Sequence, residues 1–301
     1  MKATVQTIPQ PAVAVEKSLL AVFADLVKAR LTTLVVITTL VGFYAGSVAP
    51  VDLIAMIHAV LGTALVACGA AALNQLMERK LDAKMHRTES RPLPSGRLSP
   101  DTVLIIGAAL SALGLIYLAV MVNHLTSFLG AITLASYLFV YTPLKSKTTL
   151  NTAIGAIPGA IPPLMGWTAA RGEVSIGGWT LFAILFLWQL PHFMAIAWLY
   201  REDYARGGFA MLPVVDREGR RTGSVAVSYA LGLIPISLCP SLFGMSGVIY
   251  FMGALLLGFG FLLCAIQFAR TMTEQKARQL FFASIVYLPI LLGLLVLDKV
   301  K

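Results

Sequence analysis

The chain has 301 residues, 58% of them hydrophobic and 12% charged, about half the charged fraction of a soluble globular protein. That composition excludes an ordinary soluble domain, and repeated apolar runs of about 20 residues point to a protein of the lipid bilayer. The net charge of +9 does not mark a nucleic-acid partner, because the basic residues follow the alternation of the apolar runs.

Residues 1–30 carry Pro9, Pro11, Glu16, Lys17, Asp25 and Lys28 ahead of any long apolar run. They read as a cytoplasmic N-terminal segment and not as a cleaved signal peptide. Residues 31–301 read as a single polytopic domain with nine spans, at about 32–49, 53–73, 102–122, 124–142, 151–169, 177–199, 224–243, 247–269 and 279–297. Of 23 Lys and Arg, all but Arg171, Lys299 and Lys301 fall on the side of the N-terminus. This is the positive-inside pattern, which puts the N-terminus in the cytoplasm and the C-terminus outside. Cys68, Cys239 and Cys264 lie far apart inside spans and read as small core residues.

The outer loops are minimal, whereas two cytoplasmic loops, about 74–101 and 200–223, are long. They follow spans 2 and 6, four spans apart, so both preceding helices run the same way. The fold expected is an all-α membrane protein, with two four-helix halves and one added helix around a central cavity.

The first long loop begins "NQLMERKLDAKMHRTESRPLPSGRLSP". If span 2 continues as a helix, Asn74, Glu78 and Asp82 stand at i, i+4 and i+8 on one face. Oxygen donors so placed suit Mg²⁺, which takes a few protein ligands and completes its octahedron with water and phosphate oxygens. Lys84, Arg87 and Arg91 suit a phosphate. A solvated, orienting loop fits the same spacing equally well. Pro92, Pro94 and Gly96 break helix, and Ser99-Pro100-Asp101 reads as the start of span 3.

The second loop, "YREDYARGGFAMLP", puts Glu202 and Asp203 at the corresponding end of span 6 beside Arg201 and Arg206. Two mixed-charge mouths in register suggest a grip on one polyanion, with an apolar cavity for a hydrocarbon tail. Lys145, at the cytoplasmic end of span 4, is within reach of that anion or is a plain topogenic lysine. Gly155, Pro158, Gly159, Pro162 and Pro163 give span 5 either a cavity-lining or a close-packing role. His58 and His124 sit near the outer ends of their spans, and His86 lies in the basic loop. His192 is an ionisable group inside span 6, either functional or a satisfied structural histidine.

The string Asn74, Glu78, Asp82, then Arg87-Thr88 and Arg91-Pro92-Leu93, resembles the UbiA superfamily of intramembrane prenyltransferases, and Tyr141 with Lys145 fits its Tyr-x-x-x-Lys element. The longer strings "LNTAIGAIPGAIPPLMGW" and "WQLPHF" resemble the branch of that family that farnesylates heme. The resemblance covers nearly the whole chain. It departs at Tyr200 and Tyr204, where relatives acting on small aromatic acids carry acidic residues.

This resemblance implies transfer of a farnesyl group from farnesyl diphosphate to a vinyl group of heme b, with addition of water, giving heme o and diphosphate. It implies Mg²⁺ on Asn74, Glu78, Asp82 and Asp203, with Glu202 beside them. Lys84, Arg87, Arg91, Lys145 and Tyr141 would lie at the diphosphate, and His192 and Trp188 at the heme. The expected setting is a bacterial inner membrane, with a downstream heme a synthase or oxidase assembly factors as partners. The alternatives are a quinone-precursor or chlorin prenyltransferase and, from another class, a cation-coupled transporter. A transporter would gather its charges near the bilayer centre and not at one mouth.

Overall fold

The computed structural model describes residues 18–300. Pro9, Pro11, Glu16 and Lys17 of the N-terminal segment, and Lys301, lie outside the described residues. The described part of that segment is not all loop: α1 (Leu19–Leu26) opens on Ser18, whose hydroxyl accepts from Ala21 N. The elements that follow are α2 (Ala29–Gly46), α3 (Leu53–Asp82), α4 (Pro100–Met121) and α5 (His124–Ala135). A π-helical stretch, Ser136–Tyr141, leads into the short α6 (Thr142–Leu144). Then come α7 (Asn151–Arg171), α8 (Ile176–Leu199), α9 (Arg201–Gly207), α10 (Leu212–Val215), α11 (Arg220–Leu242), α12 (Val248–Thr271) and α13 (Glu274–Leu297).

Side-chain caps set several of these boundaries. Asp52 accepts from Ala55 N at 2.9 Å, and Ser99 accepts from Thr102 N at 3.1 Å with Pro100 in the first turn. Each cap satisfies a backbone donor that the first turn cannot satisfy itself.

Eight helices, among the described residues, are long and apolar enough to cross a membrane. Their outward faces carry large, exposed apolar side chains, such as Ile105, Phe139, Val248 and Leu256, which only a lipid environment tolerates in such number. The chain is a multi-pass membrane protein. The fifth expected span, 151–169, corresponds to α7, which has 21 residues and is not among the eight. It lies inside the bundle, packed on α2, α5 and α8, and much of its length is buried.

The small residues of α7 serve close packing. A Cβ at Gly166 would strike the backbone oxygen of Thr39, and one at Gly42 would strike that of Pro163, so α2 and α7 cross backbone against backbone. Gly166→Ala is therefore expected to cost about 1–3 kcal/mol, because the obstacle is main chain and cannot rotate away. The measurement is the thermal midpoint of purified protein in detergent, and an unchanged midpoint would refute the close-crossing account.

Apolar packing falls into a large cluster joining α8 and α11–α13, including Leu185, Phe261, Phe268 and Tyr287, and a smaller one around Val66, Leu118 and Met165. Two minor clusters hold the long loops that follow α3 and α8. Leu93 packs with Leu26, Ala72 and Val103, and Met85 packs with Ala197, Phe209 and Met211.

Candidate active site

At 30 residues, α3 is about 45 Å long, well beyond the roughly 30 Å of hydrocarbon. Its last turns therefore carry Asn74, Glu78 and Asp82 beyond the apolar span on one unbroken helix. All three are buried, at 0%, 4% and 1% exposure, so the i, i+4, i+8 face points into the protein.

Each of the three meets a cation. Lys28 Nζ donates to Asn74 Oδ1 at 2.7 Å, Lys145 Nζ pairs with Glu78 Oε1 at 2.7 Å, and Arg91 donates to Asp82 Oδ2 at 2.6 Å. Asn74 also donates to Thr142 Oγ1 at 3.0 Å. The π-helical stretch makes this possible, since its wider turn shifts the register of Thr142 and Lys145 relative to the helix before it. Lys145 Nζ lies 4.6 Å from the centre of the Tyr141 ring.

The second loop closes over the first through Asp203. Its two carboxylate oxygens accept from the backbone N–H groups of His86 and Arg87, each at 3.1 Å, and Arg206 binds the same carboxylate. Phe209–Met211 then runs as a strap beside Lys145. Ala210 N donates to Lys145 O at 2.7 Å, and the buried Asn151 donates to Ala210 O at 3.0 Å. Arg87 lies 5.4 and 5.5 Å from the ring centres of Tyr200 and Tyr204, so the two tyrosines at the departing positions frame a cation.

The result is a small cavity of about 70 Å³, lined by Lys28, Arg87, Arg91 and Lys145 against Glu78 and Asp82. Burial pushes the Lys28 ammonium down to about 7, and Arg91 and Lys145 add repulsion. Burial also opposes the charge on Lys145, but Tyr141 and Glu78 more than reverse it and hold that lysine above the usual range. Arg87, Arg91 and Lys145, with Lys28 poised near neutrality, face two carboxylates and leave an excess of positive charge that a polyanion would relieve.

The Asp203 carboxyl sits below the usual range. Burial would raise it, but the hydrogen bonds from Arg206, Arg87 N and His86 N outweigh that. A depressed carboxyl contributes its stabilisation above its ordinary value of 3.8 and loses it as pH falls through the folded value, so the clamp stays charged near neutrality. Asp203→Ala is expected to speed amide exchange at His86 and Arg87 about ten- to hundred-fold, the loss of charge-assisted bonds of about 1.5–3 kcal/mol. Unaltered exchange at those two amides would show that the loops are held some other way.

A model of the UbiA prenyltransferase family matches residues 35–286. The chain belongs to the UbiA prenyltransferase family. Among its relatives, the protoheme IX farnesyltransferase of Solibacter usitatus is 49% identical over 286 residues, covering 92% of this chain and 98% of that one. The protoheme IX farnesyltransferase of Koribacter versatilis is 43% identical, over 97% and 96% of the two chains. Digeranylgeranylglyceryl phosphate synthase has a similar fold, with a TM-score of 0.78 at 16% identity over 93% of this chain and 98% of that one. So has a UbiA homologue from Archaeoglobus fulgidus bound to GPP and Mg²⁺, with a TM-score of 0.67 at 15% identity over 91% and 99%.

With the UbiA family established, the oxygen donors can be tested against Mg²⁺. Among the described residues no three His, Cys, Asp or Glu side chains form a metal group by themselves. Mg²⁺ does not require one, since it binds through one or two carboxylates plus water and phosphate. Asp82 Oδ1 is buried without a hydrogen-bond partner, and Glu78 Oε1 has its ion pair with Lys145 but no well-formed hydrogen bond. The open Asp82 Oδ1, a hard oxygen atom at the charged mouth, fits this ion.

The structure brings Asn74, Glu78, Asp82, Arg87, Arg91, Tyr141 and Lys145 together, with Asp203 as the clamp. Glu202 and Lys84 are exposed and do not line the cavity. His86 contributes its backbone, and its exposed ring lies 3.6 Å from Glu89. His192 and Trp188 face α13: His192 Nδ1 is 2.6 Å from Ser284 Oγ, and Trp188 Nε1 donates to Ser284 O at 2.9 Å. Their rings stack with centroids 5.1 Å apart.

Sequence reasoning missed Lys28, Thr142, Asn151, Phe209 and Met211 as members or supports of this UbiA site. Lys28 has the clearest signal in retrospect. It stands immediately before the first span, as the residue that opens α2.

Proposed function

We propose that this UbiA-family protein transfers a farnesyl group from farnesyl diphosphate to a vinyl group of heme b, giving heme o and diphosphate. The observation that carries this reading is the name protoheme IX farnesyltransferase on relatives 49% and 43% identical over nearly the full chain. The carbon–oxygen bond to diphosphate breaks with its electron pair leaving on oxygen. The terminal vinyl carbon forms the new carbon–carbon bond, and water adds to the resulting heme-side cation and releases a proton.

In this reading Asn74, Glu78 and Asp82 hold Mg²⁺, which supplies charge neutralisation for the departing diphosphate. Lys28, Arg87, Arg91 and Lys145 bind the phosphate oxygens as fixed donors whose pull grows as charge develops on the leaving group. Tyr141 offers its ring face to the allylic cation, worth about 0.5–2 kcal/mol. Asp203 keeps the two loops closed so that water does not reach that cation first. Glu202, Lys84, His192 and Trp188 take no chemical role, and the last two brace α8 against α13.

The setting proposed is a bacterial inner membrane with the N-terminus cytoplasmic and the C-terminus outside. There α7 makes the fifth of nine crossings, and residues 31–301 act as one domain of two four-helix halves plus α13 around a central cavity. A heme a synthase or an oxidase assembly factor would take up the product. The test is to incubate purified protein with labelled farnesyl diphosphate, Mg²⁺ and heme b and to look for a heavier, hydroxylated heme. Label found only on a quinone precursor or a chlorin supplied in parallel would overturn the assignment.

A further inference from the structure

A second cavity, of about 510 Å³, opens between α7, α8 and α11 on the far side of the strap. Its walls are apolar, including Leu190 and Met194 of α8, Ala153 of α7 and Leu212, and its rim carries Arg220 and Arg221. No carboxylate lines it. We propose that this cavity is the acceptor site, with the two heme carboxylates on Arg220 and Arg221 and the tetrapyrrole plate against the apolar walls. The inference rests on heme b being the acceptor, and it names the part of the protein that holds it.

Size and charge support this occupant. The diphosphate cavity, at about 70 Å³, has no room for a tetrapyrrole, whereas the second falls within the roughly 300–1,000 Å³ typical of sites for molecules of that size. The first turn of α11 is tied to the preceding loop, where Asp216 Oδ2 accepts from Thr222 N at 2.8 Å and from Thr222 Oγ1 at 2.9 Å. Asp216 is thereby engaged. Arg220 pairs with the exposed Glu218 at 3.0 Å, while Arg221 makes no ion pair among the described residues. The positive end of α11 adds to the two guanidinium groups.

Position supports it as well. The two cavities share a partition: Met211 lines one and Leu212 the other, and Lys145 lines one while Thr149 and Leu150 line the other. Heme carries its propionates on one edge and its vinyl groups on the opposite edge. Holding the propionates at Arg220 and Arg221 therefore turns the vinyl edge away from the rim.

The experiment uses the full chain in detergent or nanodiscs and titrates heme b by its absorption, in the wild type and in Arg220→Ala/Arg221→Ala. The expected result is a dissociation constant raised about ten-fold, the loss of a charge-assisted contact, with the KM for farnesyl diphosphate unchanged. Heme dimethyl ester, which lacks the carboxylates, should bind the wild type as weakly as heme b binds the double variant, and the variant should lose nothing further with it. As a second variant, Ala153→Phe fills the cavity and should abolish heme binding with the same KM for farnesyl diphosphate. Unchanged heme affinity in both variants overturns the proposal. So does an equal loss with the ester, or displacement of heme from the wild type by anionic lipid, which would make the cavity a lipid site. If the wild type binds heme with these dependences yet makes no farnesylated product, the functional reading falls and the site stands.

Discussion

Asp82→Asn should lower the rate of prenyl transfer by about two to four orders of magnitude while leaving the protein folded and inserted. Asparagine keeps the size of the side chain and one oxygen but removes the charge, and Asp82 is 1% exposed with Oδ2 on Arg91 and Oδ1 open. The substitution thus takes away a charged donor at the proposed metal position without creating a void. Because it also leaves Arg91 without its carboxylate, the double variant Asp82→Asn/Arg91→Gln is the control for a simple charge imbalance. Single-turnover consumption of farnesyl diphosphate, followed as a function of Mg²⁺, is the measurement. A near-normal rate at saturating Mg²⁺ would remove Asp82 from the metal set, and Glu78→Gln provides the parallel test one turn earlier.

The second large effect concerns Lys145. Lys145→Met leaves Glu78 buried without its ion pair, and orphaning a buried charge costs about 3–5 kcal/mol. It also removes a cation from the diphosphate cavity, so stability and turnover should fall together. Glu78→Gln added to Lys145→Met should restore most of the thermal midpoint, since neither partner is then charged, but none of the activity. If the double variant melts as low as the single one, the pair is not what stabilises this mouth. If Lys145→Met keeps normal turnover, the lysine does not act on the diphosphate.

Several features were legible in the chain before any coordinates. The spacing of Asn74, Glu78 and Asp82 required only that span 2 stay helical past the bilayer, and a helix period is a local property. The start of α4 at Ser99-Pro100 was readable for the same reason, because a cap depends on a few adjacent residues. The partner of each acid was not readable. Lys28 reaches Asn74 across 46 positions, and Asp203 reaches His86 and Arg87 across more than a hundred. Such pairs depend on how helices cross, and charge patterns alone leave topogenic and functional lysines indistinguishable.

The prolines and glycines of span 5 show the same division. Their presence announced an unusual helix, yet cavity lining and close packing fit them equally well in sequence. The backbone contact of Gly166 with Thr39 settles the middle of α7 as packing, while Ala153 near its start lines a cavity. Composition and periodicity were thus enough for a helical membrane protein with an acidic and basic mouth, since hydrophobicity, helix period and caps act over a few residues. The pairing of each acid with a cation, the turning of Trp188 and His192 onto α13, and the strap between two cavities came from the packed fold. They had to, because contacts between distant segments exist only once the helices have docked.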